Sequence, residues 1–212
     1  MYAKFLKRLF GFLLSLGMLT VLSPLLLVLT ITGAAAMKGN PFFTQARPGR
    51  HEKIFRLIKF RSMTNEKGPD GKLLPDSQRL KPYGRFLRAS SLDELPELFN
   101  ILLGQMALVG PRPLLVQYLP YYTEEEKHRH DVRPGLTGLA QVNGRNLIGW
   151  DERLRYDTEY VKHITFTGDL RILLKTVRKV FTHEDLAVDT DTAETYLDEE
   201  RRGALHDQSI RD

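Results

Sequence analysis

Residues 9–37 read LFGFLLSLGMLTVLSPLLLVLTITGAAAM, an apolar stretch without a charged residue or histidine, interrupted near its middle by Ser23 and Pro24. A straight helix of this length would measure roughly 43 Å, whereas the hydrocarbon core of a bilayer is about 30 Å thick. Proline removes a backbone hydrogen bond and clashes with the preceding turn, so we predict a break at Ser23-Pro24. Each arm of about 20 Å is then too short to cross a bilayer alone.

Basic residues flank this stretch on both sides: Lys4, Lys7 and Arg8 before it, and Lys38, Arg47 and Arg50 after it. Lysine and arginine mark the cytoplasmic side of membrane helices, so both ends favour the same side. The pattern predicts a re-entrant membrane helix over residues 1–38. Three alternatives stay open at this point: a tilted span kinked at the proline, a cleaved signal peptide, and a helical hairpin inside a soluble core.

Composition limits the remaining possibilities. The chain has 212 residues, enough for one modest domain beside the membrane segment, and no cysteine, which excludes disulfides and thiolate metal sites. The net charge of +5 is uneven, because residues 184–212 carry ten acidic and three basic side chains. A basic body beside a membrane favours anionic headgroups or phosphorylated substrates. No nucleic-acid-binding motif is present, so nucleic acid is not an expected partner.

The pattern predicts an α+β chain in three parts: the membrane helix (1–38), a small, mostly helical cytosolic catalytic domain (39–183) and an acidic, poorly ordered tail (184–212). Strands at Phe42–Ala46 and Ile54–Phe60 predict a β-hairpin. Helices are predicted at 91–103, 124–130, 151–163 and 169–182. The helix at 169–182 is amphipathic and basic, which suits either a membrane interface or the protein's own core.

Two adjacent carboxylates, Asp93 and Glu94, open one predicted helix in the stretch Ser91-Leu92-Asp93-Glu94. One interpretation is structural, because Ser91 and Glu94 have the spacing of a capping box. The other is catalytic, because adjacent carboxylates point about 100° apart on a helix and can serve different partners. One carboxylate could attack a phosphorus atom while the other binds a hard cation such as Mg²⁺.

Cations surround this dyad in the sequence, and guanidinium groups match phosphate oxygens in pairs. Arg112 stands out because it lies between two prolines that fix its backbone. The basic residues near the dyad and around the following glycine-rich stretch are Lys59, Arg61, Arg85, Arg88, Arg112, Arg133 and Arg145. The stretch Asp189-Thr190-Asp191 has the Asp-x-Asp pattern of metal-binding glycosyltransferases, but its place in the acidic tail disfavours that interpretation.

Five blocks of sequence, in order, resemble the bacterial sugar transferase family. Within it, the chain is similar to the small monotopic phosphoglycosyl transferases of the kind that start N-linked glycan assembly in Campylobacter. The blocks are Phe43-Thr44-Gln45-Ala46-Arg47-Pro48-Gly49, Lys59-Phe60-Arg61-Ser62-Met63, Ser91-Leu92-Asp93-Glu94-Leu95-Pro96, Val109-Gly110-Pro111-Arg112-Pro113, and Arg133-Pro134-Gly135-Leu136-Thr137-Gly138 running into Gln141-Val142-Asn143-Gly144-Arg145.

The resemblance implies transfer of a sugar 1-phosphate from a UDP-sugar to undecaprenyl phosphate, on the cytoplasmic face of the bacterial inner membrane. In that family the residue matching Asp93 attacks the β-phosphate, releases UMP and leaves a covalent aspartyl-phosphosugar. The residue matching Glu94 helps to hold Mg²⁺, with Asp93 as a further candidate ligand. An N-acetylated sugar is expected, and downstream glycosyltransferases are expected partners. The family's phosphate-handling and neighbouring positions match Lys59, Arg88, Arg112, Arg145 and Asp157.

Two other functions stay open. An ordinary glycosyltransferase would release UDP rather than UMP. A non-catalytic membrane adaptor that binds polyprenyl phosphate would show no turnover. The dyad with its surrounding cations disfavours the adaptor, and the nucleotide product separates the two enzymes.

Overall fold

A computed structural model describes residues 2–144, 148–182 and 196–202 of the chain. The architecture mixes helices and strands, as predicted. The α-helices are α1 (Lys7–Val21), α2 (Ser23–Ala36), α3 (Asp76–Arg79), α4 (Pro82–Ala89), α5 (Glu97–Leu102), α6 (Glu124–Lys127), α7 (Leu139–Val142), α8 (Trp150–Lys162) and α9 (Phe166–Thr182). The strands are β1 (Phe42–Pro48), β2 (Ile54–Phe60), β3 (Ala107–Val109) and β4 (Gly135–Thr137).

The break in the apolar segment is confirmed. Helices α1 and α2 meet at an angle of 65°, with Leu22 between them. Pro24 lies in the first turn of α2, where its missing N–H costs no helical hydrogen bond, and Ser23 Oγ donates to the carbonyl of Thr20 at 2.8 Å. Within the described ranges, no single helix is long and apolar enough to cross a membrane, whereas the bent pair together passes that test. The re-entrant path itself stays a prediction.

The start of α1 is fastened to the rest of the domain by two cations. Arg8 donates hydrogen bonds of 2.5 and 2.8 Å to the carbonyls of Ile101 and Leu102 at the end of α5. Lys7 forms an ion pair of 2.6 Å with the buried Asp169 of α9. These contacts fix the direction in which the apolar helix leaves the domain.

The predicted hairpin is confirmed: β1 and β2 are antiparallel, with Phe43 opposite Lys59. Alternate residues of a strand share one face, so Gln45 and Arg47 of β1 lie on the same face as Lys59. The buried Asn100 of α5 ties the hairpin to the domain through the backbone of β2. Its amide donates to the carbonyl of Arg56 at 2.7 Å and accepts from the N–H of Ile58 at 3.0 Å.

A second, parallel pair of strands, β3 and β4, was not predicted, because strands of three residues carry too little periodicity. The backbone segments of β3 and β4 come very close to each other where β3 ends. A Cβ atom on Gly135 would lie 2.1 Å from the backbone nitrogen of Gly110, so only glycine fits there. This close contact positions the turn that carries Arg112.

Helix α9 uses both of the surfaces that its sequence allows. Ile172 is buried with Val109 and Tyr160 on the protein side. On the other side Leu174 is 62% exposed and Val177 is 53% exposed, beside a series of basic residues. The apolar stripe is therefore wider than the core needs, which suits the predicted membrane interface.

The structure differs from the predicted disorder of the tail in one place. Residues 197–202 are helical, and Leu197, fully buried, packs with Trp150 and Leu154 of α8. Arg201 forms an ion pair of 2.6 Å with Glu126. The prediction of disorder rested on the acidic composition of the tail, which gives no weight to one apolar residue, Leu197, followed by Arg201 and Arg202. The other residues of the tail lie outside the described ranges.

Candidate active site

One cavity of about 530 Å³ gathers most of the residues that the sequence singled out. The inner face of the hairpin forms one wall, and the turn with the carboxylate dyad forms another. Lys59, Arg88, Asp93, Glu94, Arg112 and Asp157 all line it. Arg145, the remaining predicted site residue, and the Asp189-Thr190-Asp191 stretch lie outside the described residues.

The dyad does not lie in a regular helix, and the capping-box interpretation is wrong. Ser91 has a left-handed backbone with φ of 54°, and its side chain caps no N–H. Leu92–Glu94 forms a short 3₁₀ turn, and α5 begins only at Glu97. A non-glycine residue in this conformation costs free energy, and such strain is concentrated at functional sites. The strained turn places both carboxylates in the cavity wall.

Glu94 is held by two cations through one oxygen. Its Oε1 accepts from Lys59 Nζ at 2.8 Å and from Arg112 Nη2 at 2.7 Å. Burial alone would raise the pKa of Glu94, but the charges of Arg112 and Lys59 outweigh burial and lower it. Glu94 is therefore ionised at neutral pH.

A third carboxylate, Glu97, was missed by sequence reasoning. It is 2% exposed, and its Oε1 lies 3.0 Å from Lys59 Nζ, at ion-pair distance without hydrogen-bond geometry. Burial raises the pKa of Glu97 to about 7 against the opposing charge of Lys59. Nothing in the sequence indicated that Glu97 would be buried beside Lys59, since a glutamate at the start of a helix is explained by the helix dipole. Lys59 is thus shared between Glu94 and Glu97.

Asp93 differs from Glu94 in having no hydrogen bond or ion pair within the described part of the chain. Burial, and then the neighbouring Glu94 carboxylate, raise its pKa. Lys59, Arg112 and Arg88 oppose that shift by charge at longer range. A carboxylate without partners beside several cations keeps its oxygens available for attack.

Arg88 reaches the cavity from α4 and is oriented by a donated bond of 3.0 Å from its Nε to Ser62 Oγ. Helix α4 lies against the chain at Ser62 because Gly84 leaves room: a Cβ there would lie 1.8 Å from the Ser62 carbonyl oxygen. Arg88 has no carboxylate partner among the described residues, so it is free to bind an anion.

Asp157 forms its ion pair with Arg129. The two form a buried ion pair of 2.8 Å, and Arg129 also donates to the main-chain carbonyl of Arg112 at 2.6 Å. Asp157 therefore supports the turn that presents Arg112, although it also lines the cavity. Sequence reasoning placed Asp157 near the site but did not identify Arg129 as its partner.

The chain also matches a known protein family by sequence. The sequence model described as "Bacterial sugar transferase" matches residues 2–183. The chain belongs to the bacterial sugar transferase family.

Three relatives are similar to this sugar transferase in sequence. An uncharacterized sugar transferase of Bacillus subtilis, EpsL, is 50% identical over 85% of the chain and 90% of its own length. The undecaprenyl-phosphate galactose phosphotransferase of Salmonella typhimurium is 39% identical over 86% of the chain. The UDP-glucose:undecaprenyl-phosphate glucose-1-phosphate transferase of Klebsiella pneumoniae is 38% identical over 84% of the chain. The chain spans 42% and 40% of the lengths of these two enzymes.

A magnesium ion fits the donor set of this sugar transferase. The described residues contain no cluster of three metal-ligating side chains. However, Mg²⁺ commonly uses one or two carboxylates and completes its coordination with phosphates and water. The second oxygen of Glu94, Oε2, has no hydrogen bond in the described part of the chain, because Lys59 and Arg112 both use Oε1. Glu94 with Asp93 could hold the ion, and the ion would neutralise phosphate charge during the reaction.

Proposed function

We propose that this sugar transferase moves a sugar 1-phosphate from a UDP-sugar to undecaprenyl phosphate and releases UMP. The observation that supports this most strongly is the contrast within the dyad: Glu94 is fixed by Lys59 and Arg112, while Asp93 lines the cavity with no hydrogen-bond or ion-pair partner among the described residues. One carboxylate is suited to organise charge and the other to react. The named relatives from Salmonella and Klebsiella support the same class of reaction.

In the first step an oxygen of Asp93 attacks the β-phosphorus of the donor. The bond from that phosphorus to the bridging oxygen breaks, and UMP leaves with the bridging oxygen. The product is an aspartyl-phosphosugar, an acyl phosphate, in which the sugar keeps its phosphate. Arg88 and Arg112 lie beside Asp93 and stabilise the negative charge on the phosphoryl oxygens.

In the second step a phosphate oxygen of undecaprenyl phosphate attacks the same phosphorus. The bond to Asp93 breaks, the carboxylate is regenerated, and the lipid carries a diphosphate-linked sugar. Neither step consumes water or needs a proton, so no general base is required. A cavity rich in cations, in which Asp93 has no ion-pair partner among the described residues, can therefore serve both steps.

The acceptor is confined to a bilayer by its tail, so the cavity must work at the membrane surface. We place the bent apolar helix in the cytoplasmic leaflet of the bacterial inner membrane as a re-entrant segment, with α9 at the interface. The 65° bend, the basic flanks and the exposed apolar side chains of α9 support this arrangement. Downstream glycosyltransferases would then extend the lipid-linked sugar.

The donor sugar is proposed as a UDP-linked N-acetylated hexose, on the family resemblance stated above. UDP-glucose and UDP-galactose belong in the same test because the names of the two relatives mention glucose and galactose. The nucleotide product is measured with purified chain, undecaprenyl phosphate, Mg²⁺ and a panel of UDP-sugars, beside Asp93→Asn. UMP from one donor, lost in the variant, supports the proposal. Release of UDP would indicate ordinary glycosyl transfer, and no product from any donor would favour the adaptor.

A further inference from the structure

Arg47 of β1 lines the cavity but has no carboxylate partner at ion-pair distance within the described residues. Its Nη2 donates to Gln45 Oε1 at 2.6 Å, and its Nη1 donates to the carbonyl of Pro113 at 3.2 Å. Its Nε is buried and makes no hydrogen bond. Sequence reasoning counted Arg47 as a basic residue after the membrane segment and as part of one block of the family resemblance, and assigned it no role in the site.

This arrangement is costly for a guanidinium group. Burial and the nearby charge of Arg112 lower the pKa of Arg47 to about 10. The charged form of this guanidinium is therefore destabilised in the protein without a ligand. Lys59, Arg112 and Arg129, by contrast, each pair with a carboxylate. Arg47 is half-buried and forms no ion pair within the described residues, and the charge of Glu97 only partly offsets its burial. A bound anion would therefore stabilise its charge, and guanidinium groups bind phosphate oxygens well.

The position of Arg47 relative to Asp93 indicates which phosphate of the substrates Arg47 would bind. The cations that influence the Asp93 carboxylate are Lys59, Arg112 and Arg88. In the cavity wall, Arg112 Nη2 donates to Glu94, the neighbour of Asp93, at 2.7 Å. Arg47 Nη1 donates to the carbonyl of Pro113, the residue after Arg112, at 3.2 Å. Arg112 therefore lies between the carboxylate dyad and Arg47. A phosphate bound at Arg47 is then the neighbour of the phosphate that Asp93 attacks. In the UDP-sugar, that neighbour is the phosphate that leaves in UMP.

We propose that Arg47, which Gln45 orients and which lies near Arg112, forms a phosphate subsite. The subsite binds the phosphate of UMP as it leaves and then the phosphate of undecaprenyl phosphate as it enters. The inference rests on the proposed two-step transfer. In an in-line displacement, the group that leaves in the first step and the group that attacks in the second stand on the same side of the phosphorus, opposite Asp93. The nucleotide phosphate and the lipid phosphate then occupy one subsite in turn.

The test compares binding of UMP and uridine to the full chain in detergent or nanodiscs by calorimetry. The variants are Arg47→Met, Arg47→Lys and the control Arg56→Met, whose residue is exposed on the same hairpin. A charge-assisted phosphate contact predicts that Arg47→Met weakens UMP binding by about tenfold to a hundredfold. Uridine binding stays unchanged, Arg47→Lys restores part of the UMP affinity, and Arg56→Met behaves as the unaltered chain. UMP is also expected to compete with undecaprenyl phosphate.

The proposal is overturned if Arg47→Met leaves UMP affinity intact, or if it weakens uridine and UMP equally, as a purely structural role would. It is also overturned if UMP and undecaprenyl phosphate bind together without competition. These outcomes are distinct from failure of the proposed function, which is judged by whether the unaltered chain releases UMP from a UDP-sugar.

Discussion

Arg129 donates a hydrogen bond of 2.6 Å from its guanidinium to the main-chain carbonyl of Arg112, while its charge is balanced by Asp157 at 2.8 Å. Both members of this ion pair are almost completely buried. The pair therefore fixes the backbone at Arg112, whose side chain we propose binds phosphate. It links helix α8 to the turn that carries Arg112.

Asp157→Asn is expected to lower the free energy of unfolding by about 3–5 kcal/mol, because it leaves the buried Arg129 charge without a counter-ion. Activity should fall with it as the Arg112 turn loosens. The matched control is Glu125→Gln, which breaks the exposed ion pair with Lys162 and should leave the unfolding midpoint unchanged. Urea denaturation of both variants decides the matter, and an equally small effect of both substitutions would contradict the buried role.

Gly84→Ala is expected to disrupt the site through packing, because the new Cβ would lie 1.8 Å from the Ser62 carbonyl oxygen. Overpacking of this kind costs about 1–3 kcal/mol and would displace α4 and, with it, Arg88. Gly17→Ala is the control, since nothing lies within 4 Å of a Cβ at that helical position. Thermal stability and turnover are measured for both. Normal turnover in Gly84→Ala would show that α4 tolerates displacement.

His130 gives the protein a pH dependence with a defined sign. Burial, and then the Arg129 charge, lower its pKa from 6.5 to about 4, so the folded protein keeps this imidazole neutral. Between these values the unfolded chain binds a proton that the folded chain does not, so the free energy of unfolding falls as the pH falls. The loss should reach about 2 kcal/mol between about pH 6.5 and pH 5.

His130→Phe is expected to remove this component of the pH dependence while keeping the ring contact with Tyr122. Urea midpoints of both proteins are compared across that pH range. Parallel pH profiles for the two proteins would refute the assignment to His130.

The Glu97→Gln variant tests whether Lys59 is shared between the carboxylates of Glu94 and Glu97. At about pH 8, where Glu97 with its pKa of about 7 is mostly ionised, the substitution is expected to leave Lys59 bound to Glu94 alone. Lys59 should then compete more strongly with Mg²⁺ for the Glu94 carboxylate. The Mg²⁺ concentration at half-maximal activity should rise roughly tenfold, a change of about 1.4 kcal/mol. The exposed Glu66→Gln, which removes a pair with Lys81, is the control. An unchanged requirement for Mg²⁺ would mean that Glu97 does not govern Lys59.

Much of this architecture follows from local sequence rules. Pro24 in an uncharged apolar run predicts the break, and two strand segments separated by Pro48 and Gly49 predict the hairpin. Thr123 and Glu126 have the spacing of a capping box and form one. These features depend on neighbours along the chain, so a single sequence is enough to predict them.

The features that sequence reasoning missed depend on contacts between distant segments. Ser91 has the sequence of a helix cap, but the cations at Lys59 and Arg112 hold Glu94 and leave the cap unformed. Glu97 and Arg47 look like ordinary helix and strand residues until the hairpin is placed over α5. Spacing along the chain cannot reveal which charges will meet across it.

The central claim is that Asp93 carries the phosphosugar between the two substrates. The most direct measurement is the intact mass of the purified chain after mixing with its UDP-sugar and Mg²⁺ in the absence of undecaprenyl phosphate, followed by peptide mapping. The account predicts a mass increase equal to the sugar phosphate, located on Asp93, absent in Asp93→Asn and discharged when undecaprenyl phosphate is added. UMP release that requires undecaprenyl phosphate from the start, with no adduct on the chain, would contradict the covalent route and indicate direct transfer between the substrates.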